Sequence, residues 1–236
     1  MTFSGFAASD LAFLTGLAVN NDRDWFAAQR AAYDDGLKPA LAALIADTST
    51  ACAARDLPLS GDPKRSVFRI HRDTRFSKDK TPYKTRFSAG ITPHDKRRPS
   101  AGGGSTYYFH IERSGKLGFG VGEYLPPAAR LKAIREHIVN DATGFAKVLK
   151  NKHLGATYND MLEEDKLQRP PKGFDPDHPH VDYLKLKSFF VWTEVDLDLN
   201  APDQLVPRLA QGFQDAFALV AWLRSVPEPQ EETTNT

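Results

Sequence analysis

The sequence predicts an α+β fold in which an antiparallel, meander-like β-sheet carries helices packed on one face. Three observations predict this class. Apolar residues recur at helical spacing on both flanks of the chain, they alternate with polar residues in its middle, and short turns join the alternating stretches. With 236 residues, of which 41% are hydrophobic, the chain is long enough for a sizeable core. We expect one domain over residues 1–225 and a flexible acidic tail over 226–236.

The helices are predicted from apolar periodicity and from residues that favour helix ends. Asn21 fits the N-cap of a helix that continues past Tyr33, and Pro39 is expected to kink or divide it. Pro127 is suited to opening a later helix, and a second short helix is predicted over 144–151. An amphipathic helix over 205–223 closes the predicted fold.

The strands are predicted from alternation with a period of two. Segments 66–71 and 86–91 alternate in this way, and a further strand is predicted over 184–195. Residues 107–112 and 116–122 flank a short Gly-containing connection and predict a β-hairpin. Residues 165–182 are rich in Pro, Asp and His, which predicts an extended loop.

The same alternation separates an apolar face of the sheet from a polar one. We expect the apolar face to point at the helices, with Phe68, Ile70, Phe87, Ala89, Ile91, Tyr107, Phe109, Ile111, Phe119 and Val121. The opposite face would carry Arg69, His71, Asp73, Arg75, Lys84, Arg86, Ser88, Tyr108, His110 and Glu112. Glycines at 118, 120 and 122 would let a ligand or another backbone approach this face closely. The face resembles the floor of a pocket, and an ordinary solvated sheet face is the alternative.

Basic residues are concentrated in this part of the chain. Residues 64–98 contain twelve Lys and Arg against three Asp, whereas the remainder contains 19 basic and 27 acidic residues. A surface on which positive charge is concentrated in this way attracts phosphates, carboxylates or nucleic acids. The predicted ligand-binding residues are Arg69, Arg72, Arg75, Lys80, Tyr83, Lys84, Arg86 and Tyr108. Asp73, His110 and Glu123 are the candidates for acid–base catalysis.

Other motifs in the sequence carry weaker signals. His178 and His180 lie among aspartates, but nothing else supports a metal site, so we expect no metal and assign His178 to anchoring the loop. The glycines of 118–123 lack the spacing of a nucleotide-binding loop, and no motif identifies a cofactor. The single cysteine, Cys52, lies in an Ala-rich helical stretch and is expected in the core.

These observations favour a protein that binds, and in one version turns over, a small anionic or phosphorylated ligand. One alternative is a nucleic-acid-binding module that uses Phe76, Tyr83 and the basic residues 96–98, although a pI near 7.9 weighs against it. Another is an interaction protein that docks an acidic partner through residues 94–98. We expect a cytoplasmic protein without a membrane partner, because the apolar run 11–19 is too short to cross a bilayer.

The segment 72–84 resembles the uncharacterised family catalogued as domain of unknown function 2461. Three further segments agree with the pattern of that family: 14–21 with Trp25, Phe26 and Tyr33; 122–126 with Ile134 and Arg135; and 169–174 with His178, Pro179 and 184–187. Together they cover most of residues 3–225. The resemblance implies a single α+β domain in a family with no established activity, and it supplies no catalytic residues.

Overall fold

A computed structural model of the protein describes residues 2–93, 105–159 and 161–228. These residues form a five-stranded antiparallel sheet whose spatial order, β1-β2-β3-β4-β5, is also the order along the chain. The strands are β1 (Leu59–Ser60), β2 (Arg86–Pro93), β3 (Thr106–Glu112), β4 (Lys116–Glu123) and β5 (Phe189–Asp196). The predicted α+β class, the meander order and the hairpin are therefore confirmed.

Helices precede and follow the strands, and two of those predicted are divided. They are α1 (Ala8–Val19), α2 (Arg23–Ala28), α3 (Lys38–Ala53), α4 (Ala128–Asn140), α5 (Ala142–Leu149), α6 (Lys152–Thr157), α7 (Val181–Leu184), α8 (Leu205–Asp215) and α9 (Phe217–Ser225). A π-helical segment, Ala32–Leu37, leads into α3, which has Pro39 in its first turn. The predicted helix over 205–223 is interrupted at Ala216.

The predicted N-cap is displaced by one residue. The Asp22 carboxylate, rather than the Asn21 amide, accepts the hydrogen bond from the Trp25 backbone N–H and caps α2. The Asn21 side chain instead donates to the carbonyl of Tyr83 at 2.9 Å and accepts from its N–H at 2.9 Å. Asn21 therefore fixes the backbone of the basic segment.

Internal contacts divide the chain into two compact units. The first comprises Met1–Pro99, Tyr107–Gly120 and Thr193–Gln214. The second comprises Ser100–Thr106, Val121–Trp192 and Asp215–Thr236. The single domain expected over 1–225 stays a prediction.

In the first unit, the register of β2 with β3 sorts the residues of both strands between two faces. Phe87 lies opposite Ile111, Ala89 opposite Phe109 and Ile91 opposite Tyr107, and all six residues are buried. The intervening pairs are Arg86 with Glu112, Ser88 with His110 and Gly90 with Tyr108. Because directly opposed residues of antiparallel strands point to the same side, Arg86, Ser88, His110 and Glu112 share the polar face.

The predicted strand over 66–71 is reduced to isolated bridges. Val67 pairs with Ala89, and His71 pairs with Tyr83. Ile70 is buried as expected, but the prediction for Phe68 is wrong, because its half-buried ring lies 5.9 Å from that of Tyr108. Since Val67 is opposite the core residue Ala89, the next side chain turns to the polar face.

In the second unit, Asp141 is the N-cap of α5, and its carboxylate accepts from the Gly144 N–H at 3.1 Å and from the Trp222 indole N–H at 3.0 Å. The loop predicted over 165–182 ends in α7, and β5 begins only at Phe189. His178 Nδ1 accepts from the His180 N–H at 3.1 Å, which holds one turn of that loop together.

Some expectations fall on residues that the structure does not describe. These are the basic residues at 94–98 and most of the tail, 229–236. Within the described residues, every helix is too short or too polar to cross a lipid bilayer.

Candidate functional site

The basic segment folds back on itself and presents its ends at the sheet. Arg72 N–H donates to the Pro82 carbonyl at 2.8 Å, and Lys84 N–H donates to the Ile70 carbonyl at 2.8 Å. These bonds close the loop 73–81 and hold Arg72 and Lys84 beside β2. The local pairing therefore brings cations that are distant in sequence to one end of the polar face.

Two clefts in the first unit meet at this segment. The larger, of about 480 Å³, is lined by Ala18, Asn21, Arg72, Asp79, Thr81, Tyr83, Lys84, Thr85, Arg86, Glu112 and Arg113. The smaller, of about 390 Å³, is lined by Arg23, Phe26, Ala27, Arg30, His71, Arg72, Thr74, Pro82 and Tyr83. Arg72 and Tyr83 line both clefts. Four of the predicted ligand-binding residues, Arg72, Tyr83, Lys84 and Arg86, thus line the larger cleft.

Lys84 is surrounded by like charge. Partial burial, followed by the charges of Arg69 and Arg86, holds the pKa of Lys84 below its ordinary value. Its ammonium group also lies 5.8 Å from the centre of the Phe68 ring. Within the described part of the chain, no carboxylate approaches Arg69, Lys84 or Arg86 within 4.0 Å. The larger cleft therefore has a cationic wall formed by Lys84 and Arg86, neither of which has an ion-pair partner among the described residues, whereas Arg69 lines neither cleft.

Other predicted cations are neutralised by neighbouring carboxylates. Arg72 contacts both Asp79 and the hydroxyl of Thr81. Arg75 forms two bonds to Asp73, at 2.7 and 3.0 Å, and these hydrogen bonds hold the pKa of Asp73 at about 2. Asp73 is therefore ionised at neutral pH and has no proton to donate, and neither it nor Arg75 is among the residues lining the two clefts.

The remaining predicted binding residues have structural partners. Tyr83 is buried, and its ring stacks on Phe26 with the ring centres 4.3 Å apart. Lys80 Nζ donates to the Thr74 carbonyl at 2.8 Å. Tyr108 is partly buried, with its hydroxyl 3.2 Å from His110 Nδ1, and burial raises the pKa of that phenol.

A second group of polar side chains lies on the same face. His110 is 3% exposed, and its Nε2 is 3.4 Å from Glu112 Oε1. Burial, followed by the charge of Arg86, lowers the pKa of His110 to about 4. Glu194 of β5 completes the group, since ligand atoms of all three residues lie within 4.8 Å of one another. Glu194 is not predictable from the sequence pattern, because alternation does not reveal which strand lies beside β4.

A family model described as "Conserved hypothetical protein (DUF2461)" matches residues 9–222. The chain belongs to this family. No curated protein and no solved structure matches the chain. Because the description of the DUF2461 family names no activity, the geometry of the sites has to supply the functional hypothesis.

In this DUF2461 protein, the candidate Glu123 has a largely buried cation, Arg130, as its partner. Glu123 is 2% exposed, and Arg130 of α4 donates to its two carboxylate oxygens at 2.8 and 3.1 Å. Arg130 also donates to the carbonyls of Leu223 and Val226, at 2.7 and 3.0 Å. The contacts of Glu123 therefore indicate a structural role, in which it and Arg130 join the end of β4 to α4 and the end of α9.

One glycine of β4, Gly122, lies against another part of the backbone. A Cβ atom on Gly122 would lie 2.1 Å from the carbonyl oxygen of Phe189, and Gly122 has a φ of +134°. Another backbone, that of β5, therefore approaches this position closely. At Gly122, the missing side chain therefore makes room for another backbone rather than for a ligand.

Proposed function

We propose that this DUF2461 protein binds a small anion, best a phosphate-bearing molecule, in the larger cleft, with Lys84 and Arg86 as its principal contacts. The observation that supports the proposal is the cationic wall of Lys84 and Arg86, two like charges without a carboxylate within 4.0 Å in the described residues.

Electrostatics favours an anion at this place. Bringing like charges together and partly burying one of them opposes folding, and the lowered pKa of Lys84 records that opposition. A bound phosphate would relieve it, because guanidinium groups bind phosphate oxygens in pairs and an ammonium group adds a point charge. The like charges of the wall therefore lower the stability of the protein without ligand and favour the binding of an anion.

The dimensions and the remaining lining of the cleft favour a small molecule. A volume of about 480 Å³ lies in the range of small-molecule sites. Three uncharged polar residues, Asn21, Thr81 and Thr85, also line the cleft. A lining of this kind is suited to the polar part of a metabolite that carries the phosphate.

Thermal unfolding in sodium phosphate, compared with sodium chloride at equal ionic strength, tests the proposal. A ligand at one hundred times its Kd stabilises by about 2.7 kcal/mol, which is about 5–10 °C in Tm for a chain of this size. Arg86→Gln, at an exposed position, should abolish the phosphate-specific shift. The control Arg65→Gln removes the same charge from an exposed site that lines neither cleft, and should preserve the shift.

Two results would refute the small-anion proposal. One is the absence of a phosphate-specific shift with inorganic phosphate, tripolyphosphate and a panel of sugar phosphates. The other is an equal loss of the shift in the Arg65 and Arg86 variants, which would mean that net charge alone is responsible.

A specific observation supports nucleic acid as a second candidate ligand. Phe76 is 95% exposed, and the Arg75 guanidinium lies 5.8 Å from the centre of its ring. An exposed aromatic ring in a basic loop is suited to stacking on a base. Fluorescence anisotropy with a labelled single-stranded oligonucleotide tests this: Phe76→Ala should weaken salt-sensitive binding, and unchanged binding in that variant would refute the stacking role.

A further inference from the structure

The group formed by His110, Glu112 and Glu194 combines residues from two strands that are not neighbours. His110 and Glu112 belong to β3, and Glu194 belongs to β5, with β4 between them. The two strands are thus separated by two strand spacings, roughly 10 Å. Side chains from β3 and β5 can meet over β4 only if β4 leaves room for them.

Gly118 provides that room. β3 ends at Glu112 and β4 begins at Lys116, so counting equal steps from the turn places Gly118 opposite His110. Lys116 Nζ forms an ion pair with Asp196 Oδ1 at 2.7 Å, and the Leu197 N–H donates to the Gly115 carbonyl at 2.8 Å, so Lys116 and Asp196 lie opposite each other on β4 and β5. Counting from that pair places Gly118 opposite Glu194 as well. The residue between His110 and Glu194 is therefore one without a side chain.

The distances fit ligands of one metal ion. The separation of 3.4 Å between His110 Nε2 and Glu112 Oε1 is long for a hydrogen bond. Two ligands each about 2.1 Å from a common ion would be about 3.4 Å apart at a tetrahedral angle. The widest separation in the group is at most 4.8 Å, so the exposed Glu194 has to move its carboxylate by about 1.4 Å or less.

We infer that His110, Glu112 and Glu194 bind one divalent first-row transition-metal ion, with Zn²⁺ as the probe of choice. One imidazole nitrogen and two carboxylate oxygens form a donor set suited to such ions. The two carboxylates balance the charge of the ion. Three protein ligands leave a fourth position for water or for an oxygen of a bound anion, as in catalytic zinc sites.

The surroundings of His110 orient it for this role. Its other ring nitrogen, Nδ1, lies 3.2 Å from the Tyr108 hydroxyl, and such outer hydrogen bonds fix the orientation of metal-binding imidazoles. Nε2 is thereby directed towards Glu112. The ring itself is held by the sheet, since the His110 side chain is almost wholly buried.

The metal site goes beyond the proposed anion site and does not depend on it, so it is tested without phosphate. The full chain, stripped with a chelator and dialysed, is titrated with Zn²⁺ by calorimetry, and bound zinc is counted by elemental analysis. We expect one ion per chain. Glu194→Gln, at an exposed position, should weaken binding by about a hundredfold or more, because even outer-shell partners contribute about 10- to 100-fold.

Asp196→Asn is the matched control, because it removes a carboxylate from an exposed position on the same strand. It should leave zinc binding within about twofold. Glu112→Gln provides a second ligand variant that keeps the side-chain volume and should also abolish tight binding. The inference is overturned if zinc does not bind saturably, if the Asp196 variant loses as much affinity as the Glu194 variant, or if only His178→Gln abolishes binding.

Discussion

The buried pair of Glu123 and Arg130 allows a quantitative prediction for the second unit. Glu123 is 2% exposed and the Arg130 side chain 11%, so both charges are largely removed from water. Replacing Arg130 by Met would leave the carboxylate buried without its cation and remove the donors to the Leu223 and Val226 carbonyls. Breaking a buried pair from one side costs about 3–5 kcal/mol, and we expect about 4 kcal/mol here.

The two partners should not be equivalent. Glu123→Gln keeps the size of the side chain and leaves Arg130 with its two carbonyl acceptors, so we expect a loss of about 2 kcal/mol. The double variant Glu123→Leu with Arg130→Met removes both charges, and such apolar replacements are often close to neutral. The double variant should therefore be more stable than Arg130→Met alone by at least about 2 kcal/mol.

Urea unfolding measures these differences, followed in parallel by far-UV circular dichroism and tryptophan fluorescence. The two signals report on different parts of the chain, so coincident transitions are required before free energies are compared. A loss below about 1 kcal/mol in Arg130→Met would mean that water screens the pair. Additive losses in the double variant would likewise refute the coupling between Glu123 and Arg130.

Two further predictions concern backbone approach and thiol chemistry. Gly122→Ala should destabilise the fold by about 3 kcal/mol or more, because its Cβ would meet the Phe189 carbonyl oxygen at 2.1 Å and φ is +134°. Gly155→Ala, with nothing within 4 Å of its Cβ in α6, should instead stabilise by about 0.5–1 kcal/mol; equal urea midpoints would contradict this contrast. Cys52 is buried, and burial raises the pKa of its thiol to about 11. The thiol should therefore react with a disulfide reagent at pH 8 only after denaturation. Rapid labelling of the native protein would contradict this prediction.

Alternation in the sequence was sufficient to predict the polar face formed by β2 and β3. Arg86, His110 and Glu112 share that face in the structure, as predicted. The prediction was possible because a period of two and a short turn are local features of the sequence. Phe68 was misplaced because one step in register, set by the pairing of Val67 with Ala89, reverses the side to which a residue points. Glu194 was missed for a different reason: its place beside His110 depends on the order of strands, which is a tertiary property.

The numbers of Lys, Arg and Asp along the sequence identified the basic segment but overestimated how many of its cations lack an ion-pair partner. Asp73 and Asp79 lie in the same loop as Arg75 and Arg72 and pair with them, so the predicted group of cations separates into paired and uncompensated members. The uncompensated ones, Lys84 and Arg86, follow the loop, and Arg86 is the first residue of β2. Sequence spacing alone does not distinguish the two kinds, because the pairing depends on how the loop closes.

Glu112 connects the two proposed sites, since it lines the larger cleft and belongs to the group proposed to bind metal. Without metal, the negative charge of Glu112 opposes the binding of an anion in the cleft, whereas a metal ion bound to Glu112 would make the local charge positive. Zn²⁺ should therefore tighten phosphate binding by at least about fivefold, and phosphate should tighten Zn²⁺ binding by the same factor. Glu112→Gln should tighten phosphate binding without metal and abolish the coupling. If neither Zn²⁺ nor Glu112→Gln changes the phosphate affinity, the anion does not bind beside Glu112, and the cationic wall of Lys84 and Arg86 acts without a metal ion.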